Sequence, residues 1–329
     1  MKKKLVAVVA LVLIVVLACS LAACNNSKSM FDGKFKKEAS KEEAASFWKT
    51  AQTAFGAENE ELATASDEDT ALVKGWKGMK VSMVADSNYS SVKDDKKTER
   101  IYKLDVNGSL LFDGSATAIT VKVDSSATDD DKTESKTMIA SNYVKDKTMY
   151  ASLGNGEKEL NVKFGTDLGL IGSLLQNMVG GIAETYSETV VDALAEAVLD
   201  MDYDAIVEHY EGFKAYVDNS GKYNRIKYVL TAEMVADFND ENEDFVKNAT
   251  FGECSIIIVT DKDGVFQGMK FETNTSITVE NDGSSITMST KSAVSMEKCD
   301  EITSYPANLD DYKDVKDLKM EDLEGFDFN

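Results

Sequence analysis

The stretch Cys254–Lys298, CSIIIVTDKDGVFQGMKFETNTSITVENDGSSITMSTKSAVSMEK, decides how the chain folds. It holds two Asp-Gly pairs, Asp263-Gly264 and Asp282-Gly283, flanked by apolar residues at every second position. Such alternation marks half-buried strands, and Asp-Gly matches the positive dihedrals of a type I′ turn. Folding the stretch at Asp282-Gly283 sets Val279 opposite Ile286, Ile277 opposite Met288, Phe271 opposite Val294 and Met269 opposite Met296. A one-residue slip would turn every one of these side chains to the other face, so four apolar matches fix the register. A turn at Asp263-Gly264 then sets Ile258 against Met269 and Ile256 against Phe271. The stretch is thus expected to be a three-stranded meander, followed by Pro306 and an acidic tail over 313–329. The same register places Cys254 opposite Thr273 and Thr273 opposite Ser292, with Cys299 seven residues further on. That is roughly 23 Å at about 3.3 Å per residue. A disulfide needs Cα atoms within about 7 Å, so Cys254 and Cys299 are expected to stay unbridged.

The same arithmetic works outward toward the N-terminus. Tyr102, Leu104, Val106, Gly108, Leu110 and Phe112 share one parity across Asn107-Gly108, so a strand runs through that dipeptide. The turn falls instead at Asp113-Gly114, pairing Val106 with Val121 and Leu104 with Val123. Met79, Val81, Met83 and Ala85 alternate as a further strand, with Ser87–Glu99 read as a polar loop after it. A loop at Gly154–Glu157 pairs Met149 with Val162 and Ala151 with Leu160. Phe213–Val217 and Arg225–Leu230 also read as strands.

Helical spacing appears in three places. Ser40-x-x-Glu43 is a capping box ahead of Ala44, Phe47, Trp48, Ala51 and Phe55, and Gly56 ends that helix. Thr166 caps a second apolar face bearing Leu168, Ile171, Leu174, Leu175 and Met178, broken at Gly180-Gly181. A third stripe runs from Tyr186 to Met201 and continues towards Tyr210. Ala232–Asn248 fits helix better than strand, because its charges cluster beyond Phe238. No strand–helix–strand alternation runs through the chain, which argues against a parallel α/β sheet. The expected fold class is α+β, a curved antiparallel half-barrel sheet with central helices packed on its concave side.

The order of these segments resembles the LolA/LppX-type lipoproteins of bacteria. The resemblance rests on Asn142-Tyr143-Val144-Lys145-Asp146-Lys147-Thr148-Met149-Tyr150, on the Asp261–Phe271 hairpin and on the Pro306 exit. It implies a curved sheet around plugging helices over about 76–312, and a cavity between them that carries a lipid or lipoprotein. No motif aligns residue by residue, so it supplies no binding residue.

Residues 1–24 have the layout of a lipoprotein export signal. Lys2–Lys4 precede the 13 apolar residues Leu5–Leu17, and Leu21-Ala22-Ala23-Cys24 ends the segment. Ala23 and Cys24 flank the expected cleavage, and the Cys24 thiolate accepts the lipid. Val16-Leu17-Ala18-Cys19 is a poorer match with a bulky Leu17, and residues 5–24 are also long enough for an uncleaved anchor. The expected organisation is a signal over 1–23, a lipidated tether over 24–39, one domain over 40–312 and the acidic tail. Both anchor readings put the body outside the cytoplasmic membrane, on its outer face in a Gram-positive-like envelope.

The 329 residues carry 36 basic and 58 acidic side chains, a net charge of −22. That balance opposes binding to nucleic acid, whose phosphates need cations. One histidine, His209, argues against His-based metal sites and triads and reads as structural. Asp261-Lys262-Asp263-Gly264 lacks the remaining ligands of a calcium loop and reads as a hairpin turn. Asp129-Asp130-Asp131 and Asp240–Asp244 read as solvated loops before calcium sites. No Gly-rich phosphate loop, G-x-S-x-G elbow or H-E-x-x-H occurs, so neither enzyme activity nor a cofactor is expected. Seven methionines lie on expected strands, where they either fill core gaps or form an adaptable apolar lining. Two apolar faces, Leu104, Val106, Leu110 and Phe112 on strands and Leu174, Leu175 and Met178 on a helix, are candidate walls of a cavity. The expected function is a non-enzymatic, membrane-anchored lipoprotein carrying a lipid or other apolar ligand. The alternative is a surface interaction or adhesion lipoprotein with a solid core and an acidic exterior.

Overall fold

Short turns at Asp113-Gly114, Asp146-Lys147 and Asp263-Gly264 join long alternating segments in this chain, and that pattern yields antiparallel hairpins. The computed structural model describes residues 29–55, 73–93, 96–129, 132–164, 203–210, 212–230, 249–281 and 284–323. Within them fourteen strands form a single open sheet. They are β1 (Lys37–Glu38), β2 (Gly78–Lys93), β3 (Lys96–Leu111), β4 (Thr117–Asp129), β5 (Lys132–Lys145), β6 (Thr148–Gly154) and β7 (Glu159–Phe164). There follow β8 (Lys214–Asp218), β9 (Asn224–Leu230), β10 (Ala249–Phe251), β11 (Cys254–Thr260), β12 (Phe266–Asn281), β13 (Ser284–Lys298) and β14 (Lys313–Asp314). Across the sheet the order is β1-β8-β9-β11-β12-β13-β2-β3-β4-β5-β6-β7-β14, with β10 beside β12. Every pairing is antiparallel except that of β14 with β7, so the sheet is mixed.

The described residues contain two α-helices, α1 (Lys41–Phe55) and α2 (Tyr203–His209). The protein is therefore mainly β, which corrects the expected α+β half-barrel with central helices. The physical reason is that strands continue through polar stretches where no apolar face announces them. Ser87–Glu99, expected as a loop, is the far part of β2 and the start of β3, paired from Ser87↔Tyr102 to Lys93↔Lys96. Asp129 likewise ends β4 opposite Lys132 of β5 rather than lying in a loop. The expected helices over 166–201 and 232–248 lie outside the described residues.

The meander registers agree with the sequence arithmetic: Met269↔Met296, Phe271↔Val294, Ile277↔Met288 and Val279↔Ile286 all pair. Ile258↔Met269 and Ile256↔Phe271 pair as well, as do Val106↔Val121 and Leu104↔Val123. Two details differ. The Asp261–Val265 turn carries positive φ at Gly264 alone (φ +83°), and the ladder shifts between Val259 and Thr260. It is thus a five-residue loop with a bulge rather than a type I′ turn. At the β6–β7 turn the pairs are Met149↔Phe164 and Ala151↔Val162, two residues away from the expected register. Asn155 explains the shift: its Oδ1 accepts the Glu157 and Lys158 amides at 3.1 and 2.8 Å, closing the loop one residue later. A slip of two keeps every side chain on its face, so alternation does not detect it.

The main core lies on one face of the sheet, the inner face, beneath α1. Met79, Val81, Met83 and Ala85 of β2, Met269, Met296, Ile258 and Ile226 are buried there with Ala44, Trp48, Ala51 and Phe55 of the helix. The Trp48 ring meets Tyr228 edge-on at 5.0 Å, and the Tyr228 hydroxyl donates to the Ala44 carbonyl at 2.7 Å. Each such buried side chain contributes about 1.5–3 kcal/mol. The Ser40 hydroxyl caps α1 by accepting from the Glu43 amide at 3.1 Å. The Glu43 carboxylate turns instead to Lys37 and Asn219, so the capping box closes on one side only.

Candidate functional site

The N-terminal segment and Leu309–Tyr312 near the C-terminal end pack on the opposite, outer face. The described part of the expected tether, from Ser29, packs on the sheet: Phe31 is buried against Ile257 and Val259, and β1 pairs with β8. Asp218 and Arg225 hold this segment. The Asp218 carboxylate accepts the Lys34 amide at 2.8 Å and the Ser220 amide at 3.0 Å, while Arg225 Nε donates to the Met30 carbonyl at 2.5 Å. Ser220, the Lys34 amide and Arg225 hold the Asp218 carboxyl down at about 2. At the other margin the described part of the acidic C-terminal segment includes β14, paired with β7. Tyr312 and Leu309 bury against Tyr143 and Ala118, and Tyr305 donates to the Val144 carbonyl at 2.8 Å.

Between these two covers the outer face is polar. Asp86 meets Lys103 at 3.7 Å, Lys122 meets Asp124 at 2.6 Å, and Lys270 meets Glu272 at 2.7 Å. Burial pushes the Asp105 carboxyl up, with Asn107 and Lys122 opposing. Burial also acts upward on Asp124, but Lys122 and the Thr137 hydroxyl outweigh it and leave Asp124 below the usual range. Each carboxylate has a neighbouring lysine or amide donor, the arrangement of a solvated ion lattice. Among the described residues no three His, Cys, Asp or Glu side chains gather as metal ligands. The Asp261 carboxylate is spent inside its own turn, accepting the Asp263 and Val265 amides at 3.0 and 2.9 Å.

The sheet also outruns its core. Ala85 is buried at the core's edge, yet β2 continues eight residues to Lys93, about 26 Å at 3.3 Å per residue. β3, β4, β5, β12 and β13 extend with it, forming a blade with hydroxyl pairs on both faces. Ser276 meets Ser289 at 2.9 Å, Thr278 meets Thr287 at 3.1 Å and Thr128 meets Thr133 at 2.9 Å on the outer face. Thr273 meets Ser292 at 2.6 Å and Ser87 meets Thr290 at 2.7 Å on the inner face. Val92, Met138 and Ile286 are 41%, 47% and 39% exposed there. The blade's strand segments (86–93, 96–103, 124–129, 132–137, 274–281, 284–291) carry eight basic and six acidic side chains. Counting the intervening Asp94, Asp95, Asp130, Asp131 and Asp282 as well brings the net to −3 over 50 residues, about the same charge density as the whole chain.

Of the sequence-derived cavity residues, Leu104 and Val106 are 2% and 5% exposed within the main core, and Leu110 and Phe112 pack partly buried against it. Leu174, Leu175 and Met178 lie outside the described residues, as do Ala23 and Cys24. Four of the seven strand methionines, Met79, Met83, Met269 and Met296, fill the core; Met138 stands on the blade. A cleft of about 380 Å³ lies elsewhere, between Ser46, Lys49, Thr50 and Thr53 of α1 and the Gly264–Phe266 turn. Cys254 and Cys299 are both free thiols. The blade was missed by periodicity; its signal was the run of Ser, Thr and Tyr around opposed charges such as Asp86 and Lys103. No family model and no curated protein matches the chain.

Proposed function

We propose that this chain is a non-enzymatic lipoprotein of the cell envelope, tethered through Cys24, that contacts a polar surface through its blade. The blade carries the reading: a sheet continued about 26 Å past its apolar core, with rows of hydroxyls and basic side chains on its faces. Three basic side chains, Lys97, Arg100 and Lys103, fall within seven residues of β3, and such a local cluster of cations attracts anionic lipids and wall polymers. Hydroxyl rows and the Lys97, Arg100 and Lys103 side chains of β3 suit hydrogen-bonding to such a surface. The carrier reading needs open space beside Leu104 and Val106. Their burial among Met79, Val81, Ile119 and Val121 favours a filled interior instead.

Binding of the purified full chain to isolated cell envelopes tests the proposal. Lys97→Glu combined with Arg100→Glu should weaken retention several-fold, while Lys262→Glu, on the turn at the opposite end of β12, should not. Equal retention of all three, or a stoichiometric lipid in organic extracts of the parent, would return the carrier reading. Intact mass of the membrane form should give an acylated chain beginning at Cys24; a chain retaining residues 1–23 contradicts the tether.

A further inference from the structure

β5 has a bare edge. On one side β4 pairs with it along its whole length, from Asp129↔Lys132 to Thr117↔Val144. On the other side β6 reaches only Gly154, opposite Ile139. Among the described residues, Lys132–Met138 thus has no strand beside it on that side, and Lys132, Thr133, Glu134, Ser135 and Lys136 are all exposed. The Asn155–Lys158 loop marks the end of this edge, since a Cβ on Gly156 would stand 3.4 Å from Thr137.

The turn into β6 settles which backbone groups face outward. The Asp146-Lys147 turn, with φ of 50° and 64°, closes on the Lys145↔Thr148 pair, so odd-numbered residues of β5 exchange hydrogen bonds with β6. Since a strand's hydrogen-bonding groups alternate sides, even-numbered residues do so with β4, as far as the Asp129↔Lys132 pair. Thr133, Ser135 and Thr137 therefore direct their N–H and C=O groups into solvent along the bare edge.

We infer that this edge pairs with the same edge of a second copy of the chain, antiparallel, with Ser135 on the two-fold axis. That register sets Ser135 against Ser135 and Thr133 against Thr137, all hydrogen-bonded pairs, giving six main-chain bonds. Between them Glu134 lies opposite Lys136 twice over, in the non-hydrogen-bonded positions where side chains approach most closely. Sliding by one step in either direction opposes Glu134 to Glu134 or Lys136 to Lys136, so charge alone selects the Ser135-centred pairing. The hydroxyl contacts it creates repeat those already present across the blade, such as Thr128 with Thr133 at 2.9 Å. The inference rests on the strand edge and is independent of what the blade's faces bind.

Disulfide trapping of the full chain, purified in detergent and oxidised, tests it. Ser135→Cys places two thiols on the axis, with Cα atoms about 5.5 Å apart and within disulfide reach. Thr137→Cys leaves its two copies four residues apart, about 13 Å. The expected result is a crosslinked dimer with Ser135→Cys, absent from the parent and from Thr137→Cys. Adding Glu134→Lys should reduce the crosslinked fraction about ten-fold, and adding Lys136→Glu on top should restore it. The swap also guards against misfolding, since it keeps the composition of the edge. A Ser135→Cys chain no more crosslinked than the parent, equal trapping by Thr137→Cys, indifference to Glu134→Lys, or capture of a different protein at Ser135→Cys each overturns the inference.

Discussion

One pair of strands, β2 and β3, passes through two regimes. From Gly78 to Ala85 the inner face of β2 is Met79, Val81, Met83 and Ala85, closed over by the core; Ser87 is still buried against Thr290, and from Asn88 to Val92 the same strand shows exposed or half-exposed side chains on both sides. Hydrogen-bonding is unbroken across the boundary, Ala85↔Leu104 being followed by Asp86↔Lys103 and Ser87↔Tyr102. The ladder alone thus holds geometry in both halves, while burial supplies stability to one of them. A sheet without a core is marginal alone, and the blade persists because its strands are anchored in the packed half.

Matched substitutions in the two halves should separate these contributions. Trp48→Ala empties a fully buried site against Tyr228 and Tyr203 and should cost about 3–5 kcal/mol in urea unfolding. An unchanged midpoint would mean the inner face is not the stabilising half. Next in size is the latch on the N-terminal segment. Because the folded Asp218 carboxyl is held at about 2, below its ordinary 3.8, its contribution is complete above that ordinary value and is lost as pH falls through 4 toward 2. Allowing for solvent screening, it is worth about 1 kcal/mol. Hydrogen exchange of Phe31–Lys37 should therefore quicken over that window, and Asp218→Asn should abolish the pH dependence. Smallest of all, Thr278→Ala with Thr287→Ala, on the blade, should move the unfolding midpoint by no more than about 0.5 kcal/mol. A larger loss would show that the hydroxyl rows stabilise the blade beyond its ladder.

The legibility of the sequence divides along the same line. Where one face is buried, alternation fixed which face each strand presents: the Met269↔Met296 and Leu104↔Val123 registers, the passage through Asn107-Gly108 and the α1 face were all readable from residue spacing. Where both faces are wet, hydrophobic periodicity has nothing to report, and Ser87–Glu99 looked like loop although every residue in the described part pairs. The two-residue error at Met149 arose because apolar parity survives an even slip and only Asn155 distinguishes the registers. The N-terminal latch was illegible for a different reason. Asp218 and Lys34 are 184 residues apart, and no local pattern connects them. As to the candidate site, Leu104 and Val106 were rightly seen as buried-face residues, but their setting is packed core; the blade beside them left only a compositional trace.

The account stands or falls on whether the polar stretch from Ser87 to Lys103 is strand. Residue-resolved amide hydrogen exchange at neutral pH tests this directly. The account predicts protection throughout Asn88–Val92 and Thr98–Tyr102, since both strands have a hydrogen-bonded neighbour on each side. Exchange across the whole of Ser87–Lys103 at the rate of an unstructured chain would contradict it.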